Sequence, residues 1–240
     1  MTRKIIRVTG EDRVAFLQGL VSNDVTRAPC WAALLTPQGK YLADFLIVPQ
    51  GDALLIDVDA RLADDLMRRL AMYRLRSKVG VEATGMTVAR GTGPAPEGAF
   101  ADPRHPALGW RLYEAQGDGG TDWDAIRVEH VIPETLIELI PNETYILEAG
   151  FERLHGVDFR KGCYVGQEVT ARMKHKTELR KGLTRLRIEG QAPAGTPILR
   201  HGREVGTLFT QSGGRAIAHL RFDRLGEGME AGAARLFAEE

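Results

Sequence analysis

The chain has 240 residues, 43% of them hydrophobic and 27% charged, enough for one large domain or two to three small ones with their own cores. Lys+Arg and Asp+Glu both total 32, and this zero net charge argues against a general nucleic-acid coat or a membrane-surface protein, which would be more basic. Two cysteines make no disulfide framework, no apolar run approaches the about 18 residues of a membrane span, and "MTRKIIRVTGEDR" lacks a secretory core; together these predict a reducing, cytoplasmic setting.

"KIIRVTG" predicts a first strand. "TGEDRVAFLQGLVSNDV" predicts a helix with Val14, Leu17, Leu20 and Val21 on one face, opened by Thr9 and Asp12 at capping-box spacing. The apolar runs "CWAALLT" and "YLADFLIVP" predict a hairpin, because Pro37 and Gly39 in "PQGK" suit a tight turn. After "QGD" comes a further strand, "ALLIDVD", and Asp59 caps the amphipathic helix "ARLADDLMRRLAMYRLR". "KVGVEAT" opens another strand, "GTGPAPEG" is a loop, "GWRLYEA" is a strand, "GDGG" is a break and "TDWDAIRVEHVI" is helical. From Lys181 the texture changes to short strands, "GLTRLRIEG", "TPILR", "EVGTLFT" and "RAIAHLRF", spaced as in a small antiparallel barrel or sandwich. Mixed elements with tight hairpins make the fold class α+β rather than a doubly wound parallel sheet. Residues 1–180 form the α+β region in this reading, and residues 181–240 the barrel.

The chain carries no phosphate loop, no HExxH helix, no GxSxG elbow and no pair of histidines at zinc-ligand spacing, so no resident metal is expected. His155 and His175 read as surface or loop histidines. The unusual chemistry lies in "FRKGCYVGQEVTAR", residues 159–172. Lys161 and a helix opening at "GQE" would favour a Cys163 thiolate, and Gly162 and Gly166 would let the backbone turn sharply or approach a ligand. The other reading of Cys163 is a small hydrophobe in a core, and the residues alone leave both open. Two cysteines cannot hold an iron–sulfur cluster, so any cluster role is transient, shared with a partner or indirect. Asp44 and Glu148 stand in apolar, strand-like runs, where an acid by itself reads as solvent-facing, the alternative being a carboxylate that accepts hydrogen bonds from an amino-heterocycle. Arg172, Lys174, Lys176, Arg180, Lys181, Arg185 and Arg187, with Glu178 the single acid among them, form either a solvated face or a seat for a polyanionic tail, tRNA or an acidic protein surface.

"KGCYVGQE" resembles the signature of the YgfZ-type folate-binding family, Lys-Gly-Cys-aromatic-x-Gly-Gln-Glu, at every fixed position from Lys161 to Glu168. The resemblance extends to "FLQGLVSNDV", "TPQGKYLADFLI", "GVDF" and "GREVGTLFT", and so spans essentially the whole chain. Ser22 departs from it, where a threonine is common. The resemblance implies a fold similar to the aminomethyltransferase (T-protein) of the glycine cleavage system: intertwined α+β parts and a C-terminal β-barrel around a folate-binding cavity. It implies tetrahydrofolate or a derivative as cofactor, and iron–sulfur enzymes or cluster-assembly proteins as partners. It also implies an indirect effect on tRNA modification, without direct nucleic-acid or membrane binding. Carried over residue by residue, Cys163 is a functional thiol, and Lys161, Tyr164, Gln167 and Glu168 are folate-binding candidates. Asp44 matches the acid that faces the folate's reactive nitrogens in the transferases, a candidate catalytic group, and Glu148 in "LEAG" resembles the acid that binds the pterin. The resulting expectation is a tetrahydrofolate-binding accessory protein for iron–sulfur cluster assembly or repair. The alternative is a folate-dependent aminomethyl or one-carbon transferase. The glycine-cleavage transferases lack the signature cysteine, whereas "LEAG" leans toward them.

Overall fold

The computed structural model describes residues 2–176 and 179–239. The chain divides into two compact units, Met1–Thr121 with Phe151–Ala171, and Asp122–Gly150 with Arg172–Glu240. In the first unit, β1 (Arg3–Thr9), β2 (Cys30–Leu35), β3 (Tyr41–Gln50), β4 (Ala53–Asp59) and β5 (Gly80–Ala83) form one antiparallel sheet in the order β2-β3-β4-β1-β5. All of β2 and β4, and β3 as far as Val48, are buried. That explains why these strands read as continuous apolar runs rather than alternating ones: both faces are covered.

One face of this sheet packs Ile6, Val8, Phe45, Ile47, Ile56 and Val58 against α1 (Arg13–Gln18) and α2 (Ala60–Arg74), which contribute Phe16, Leu17, Leu66 and Leu70. Alternation puts Trp31, Leu46 and Asp57, which are register partners across β2, β3 and β4, on the opposite face, together with Asp44. Asp59 caps α2 as expected, accepting from the Arg61 N–H at 2.8 Å. The helix expected over residues 9–25 is shorter than its apolar spacing suggested. It spans Arg13–Gln18, and the capping box does not form: Asp12 makes no side-chain cap and instead accepts from the Lys78 N–H at 2.7 Å. A long-range contact here outcompetes the local one.

A small sheet of β6 (Val88–Gly91), β7 (Phe100–Ala101) and β8 (Trp110–Tyr113), in the order β6-β8-β7, completes the strands of this unit. The second unit contains α3 (Trp123–His130); α4 (Gln167–Lys176), whose residues up to Ala171 belong to the first unit, starts where "GQE" predicts a helix. Then follow β9 (Lys181–Glu189), β10 (Pro197–Arg200), β11 (Arg203–Ser212), β12 (Arg215–Arg221), β13 (Met229–Ala231) and β14 (Ala234–Ala238). They close into an antiparallel barrel, β10-β11-β12-β9-β14-β13, filled by Leu186, Ile188, Ile198, Leu208, Leu220 and Leu236. Closure leaves no strand edge open. The sequence reading missed the last hairpin, because Ala231 and Ala234 around Gly232 carry too little hydrophobic contrast to mark strands. Among the described residues no helix is long and apolar enough to cross a membrane.

Candidate functional site

The signature segment is fastened to the first unit by polar residues far away in sequence. Ser22 donates its hydroxyl to the Gly156 carbonyl at 2.6 Å, and its own carbonyl accepts from the Asp158 N–H at 3.0 Å. The Asn23 amide donates to the carbonyls of Trp31 and His155, both at 2.7 Å. Lys161 donates its ammonium to the carbonyls of Gln18 and Val21, the latter at 2.8 Å, while Gln18 Nε2 donates back to the Lys161 carbonyl at 3.3 Å. "VSNDV" is therefore a clamp for the loop, and the serine that departs from the family's threonine supplies one of its jaws.

Two glycines bring the loop down onto the β2–β3 turn. Gly166 has φ +83°, and a Cβ there would lie 2.5 Å from the Thr36 carbonyl oxygen and 3.0 Å from Leu35 Cβ. Gly39, in the turn itself, has φ +75°, and its Cβ would meet Val169 Cβ at 2.9 Å. "PQGK" and "VGQE" thus need glycine for the same close approach.

Cys163 is exposed at the tip of this anchored loop, and that removes the core-filler reading. Gln167 Nε2 donates to the Gly162 carbonyl at 3.1 Å and closes the loop around it. Tyr164 is buried, with the Lys161 ammonium 4.9 Å from its ring centroid, and Glu168 is exposed in the first turn of α4. Burial pushes the Lys161 ammonium down to about 8. Its contacts show it pinning the loop to the end of α1, and α4 begins at Gln167, beyond the glycine that follows the thiol. Cys30 is the opposite case: buried in β2, with its thiol pushed up to about 12 by desolvation, and so inert at neutral pH. The two cysteines are not bonded to each other.

Asp44 does not face solvent. It is buried in β3, where Oδ2 accepts from Trp31 Nε1 at 2.9 Å and Oδ1 from the Tyr41 hydroxyl at 2.8 Å. Trp31 stacks on Phe151, with ring centroids 3.8 Å apart. Gly156 of "HGVDF" lies against this stack, where a Cβ would come within 2.6 Å of both rings. On the same sheet face the sequence reading passed over a buried ion-pair network in which Asp57 and Asp102 join Arg3, Arg104 and Arg111. Its members are scattered over more than a hundred positions, and no local pattern reveals them.

In the second unit, Glu148 lies in an irregular turn rather than in the strand that "YILEAGF" suggested, because the segment before it is wound into successive turns. Its carboxylate is nearly buried and reaches His219 Nε2 at 3.2 Å and Lys181 Nζ at 3.4 Å. Both contacts fall on Oε2, so among the described residues Oε1 accepts no hydrogen bond. Glu148 lines a cavity of about 220 Å³ with Glu143, Thr144, Lys181, Phe209 and His219. His219 was not expected at the site, although its place in "RAIAHLRF" signals it: Ala216, Ala218 and Leu220 fill the barrel, so His219 faces outward. Of the basic run, Lys181 pairs with Glu148, Arg185 with Glu129 and Glu239, and Arg187 with Glu189. That part is a paired surface, not a seat for a polyanion. Thr177 and Glu178 lie outside the described residues.

Comparison with known proteins bears on fold and family. The family described as "CAF17, C-terminal beta-barrel domain" matches residues 180–240. The chain is 31% identical to "Iron-sulfur cluster assembly factor IBA57 homolog, mitochondrial" of Mycosarcoma maydis over 95% of its length, spanning 65% of that protein. It is likewise 31% identical to the mouse "Iron-sulfur cluster assembly factor IBA57, mitochondrial", over 93% of this chain and 76% of the mouse protein. Among solved structures, the glycine cleavage system aminomethyltransferase T from Bartonella henselae superposes with a TM-score of 0.73, covering 98% of this chain and 83% of that one at 13% identity. The fold is thus that of the aminomethyltransferases, with mixed α and β parts and a closed six-stranded antiparallel barrel. The cytoplasmic expectation is corrected: these relatives are named mitochondrial, which points to mitochondria instead. Unpaired cysteines mark a reducing compartment without choosing among such compartments.

Proposed function

The chain belongs to the family of iron–sulfur cluster assembly factors named IBA57, and from this premise we propose that it is a tetrahydrofolate-binding accessory protein for iron–sulfur cluster assembly or repair. The observation that carries the reading is Cys163, an exposed thiol on a loop held at both ends. One thiol supplies at most one of the four protein ligands of an ordinary cluster. Among the described residues no group of three or more His, Cys, Asp or Glu is able to hold a metal ion. The cluster is therefore cargo in this reading. Cys163 engages it transiently while a client iron–sulfur enzyme or assembly protein provides the remaining ligands, and any effect on tRNA modification is indirect, through such a client. Lys161, Tyr164 and Gln167 serve by fixing the loop, and Glu168 stands exposed beside it.

The folate part rests on the YgfZ-type resemblance and on the chemistry of the Glu148 cavity. The amino and ring N–H groups of a pterin are donors, and the nearly buried Glu148 side chain has in Oε1 an acceptor without a partner among the described residues. Phe209 offers an apolar wall to the ring, and the cavity's about 220 Å³ suits the bicyclic head rather than the whole folate. Asp44, with both oxygens held, enters as the group that orients Trp31 and Tyr41. Calorimetry is expected to register tetrahydrofolate binding and a melting temperature that rises with ligand concentration. Glu148→Gln is expected to weaken that binding by about 1–3 kcal/mol, the cost of an unmatched buried donor. Absence of binding to the wild-type protein would remove the folate from the proposal, and unchanged affinity in the variant would move its site away from Glu148. The second reading, folate-dependent aminomethyl or one-carbon transfer, is favoured by Glu148 standing in "LEAG".

A further inference from the structure

The apolar stripe that seats α2 on the sheet runs out before the helix does. Ala63, Leu66 and Leu70 are buried at helical spacing, but the last turn, residues 71–74, has no buried residue. Met72 is 62% exposed, Tyr73 39% and Leu75, just past the helix, 88%. Among the described residues five large hydrophobic side chains are exposed, and three of them fall within these four positions. Single apolar side chains scattered over a surface need no explanation, whereas a cluster of them does.

Leu75 is also strained. It ends the helix at φ +41° and ψ −107°, with the positive φ that a helix end ordinarily gives to glycine. A leucine there carries the steric cost of its Cβ, and at this exposure it recovers none of that cost by packing within the chain. The surroundings are basic. Between Asp65 and Glu82 the sequence carries Arg68, Arg69, Arg74, Arg76 and Lys78 and no acid. Asp65 holds Arg68 and Arg69, and Glu11 holds Lys78. Arg74 reaches the Val79 carbonyl at 3.4 Å, and neither it nor Arg76 has a carboxylate partner among the described residues.

We propose that this end of α2, with Leu75 at its tip, is a docking surface for a partner protein that offers carboxylates around an apolar pocket. Charge complementarity sets the sign of the partner, because guanidiniums without a carboxylate match that group in a two-pronged, charge-assisted pair. Arg, Tyr and Met are the side chains enriched where proteins meet. A membrane is the poorer occupant: a helix lying in a bilayer surface needs its apolar face free, and that of α2 is covered by the sheet. The surface lies in the first unit and uses neither Cys163 nor Glu148, so it is tested apart from the cluster and folate readings.

The test titrates full-length protein, by fluorescence anisotropy, against two labelled amphipathic helical peptides with leucine on one face and either glutamate or lysine on the other. The glutamate peptide is expected to bind saturably, and more weakly as salt rises, and the lysine peptide not to bind. Leu75→Gly is expected to weaken binding about tenfold or more, as loss of a central anchor does, while the melting temperature stays at or above the wild-type value because the strain is relieved. Arg74→Glu and Arg76→Glu, made together, are expected to abolish binding of the glutamate peptide and to admit the lysine one. A glutamate peptide that does not bind, an affinity untouched by Leu75→Gly, or a lower melting temperature in that variant would overturn the proposal. So would binding to phosphatidylglycerol vesicles without peptide binding, which assigns the surface to a membrane. Self-association that Leu75→Gly removes would overturn it too, and assign the surface to a second copy of the chain.

Discussion

Cys163→Ser protein is expected to melt and to bind reduced folate as the wild type does, and yet to fail to restore iron–sulfur enzyme activity in a strain lacking the gene. The stability half follows from exposure: the side chain sits in no core, and substitutions at such positions stay within about 0.5 kcal/mol. The loop keeps its shape because its fastenings are backbone carbonyls and the side chains of Lys161, Gln18, Ser22 and Gln167, none of which involves the sulfur. The functional half follows from chemistry. A thiolate ligates metal and attacks electrophiles at neutral pH, whereas a serine hydroxyl in an ordinary setting does neither. Full rescue by the serine variant would strip Cys163 of its role and leave the loop as mere scaffold.

Gly166→Ala is expected to be the most destabilising single-methyl change in the signature, by about 2–4 kcal/mol, because it combines left-handed backbone strain with a forced collision. At φ +83° an L-residue is strained, and here the new methyl would also sit 2.5 Å from a backbone carbonyl that β2 and its turn hold in place. Gly162→Ala is the matched control. It has φ +96° but open space around the position of the added Cβ, so it should cost only the backbone part, about 1 kcal/mol. For a chain of this size each kcal/mol lowers the melting temperature by about 2–4 °C, which a thermal melt separates easily. Equal losses in the two variants would place the cost in the backbone alone and contradict the packing of the loop against Thr36.

The sequence disclosed what local chemistry can disclose. "KGCYVGQE" is contiguous, so its residue types could be read together, and Gly39 and Gly166 marked turns whose need for glycine the structure explains by mutual contact. The barrel strands were legible because inward apolar positions alternate with polar ones between glycine-rich turns. What escaped is non-local. Nothing in "VSNDV" says that Ser22 and Asn23 hold a loop more than 130 positions away, and nothing near Asp57 points to Arg111. Glu148 was read as a strand residue because "YILEAGF" is apolar, yet its backbone carbonyl accepts from the Leu183 N–H within a turn-rich segment. From the residues alone Asp44 reads as a solvent-facing acid, since period-two alternation cannot distinguish a bare sheet face from one covered by Trp31 and Phe151.

The central claim, an accessory role in iron–sulfur assembly on an aminomethyltransferase fold, is tested most directly by deleting the gene and measuring two activities side by side. One is the activity of iron–sulfur enzymes in the deleted strain, with and without the restored wild-type chain. The other is glycine cleavage in the same extracts. The account predicts that iron–sulfur enzyme activity falls and returns with the gene while glycine cleavage is unchanged; intact iron–sulfur enzymes with lost glycine cleavage would contradict it and establish the transferase reading in its place.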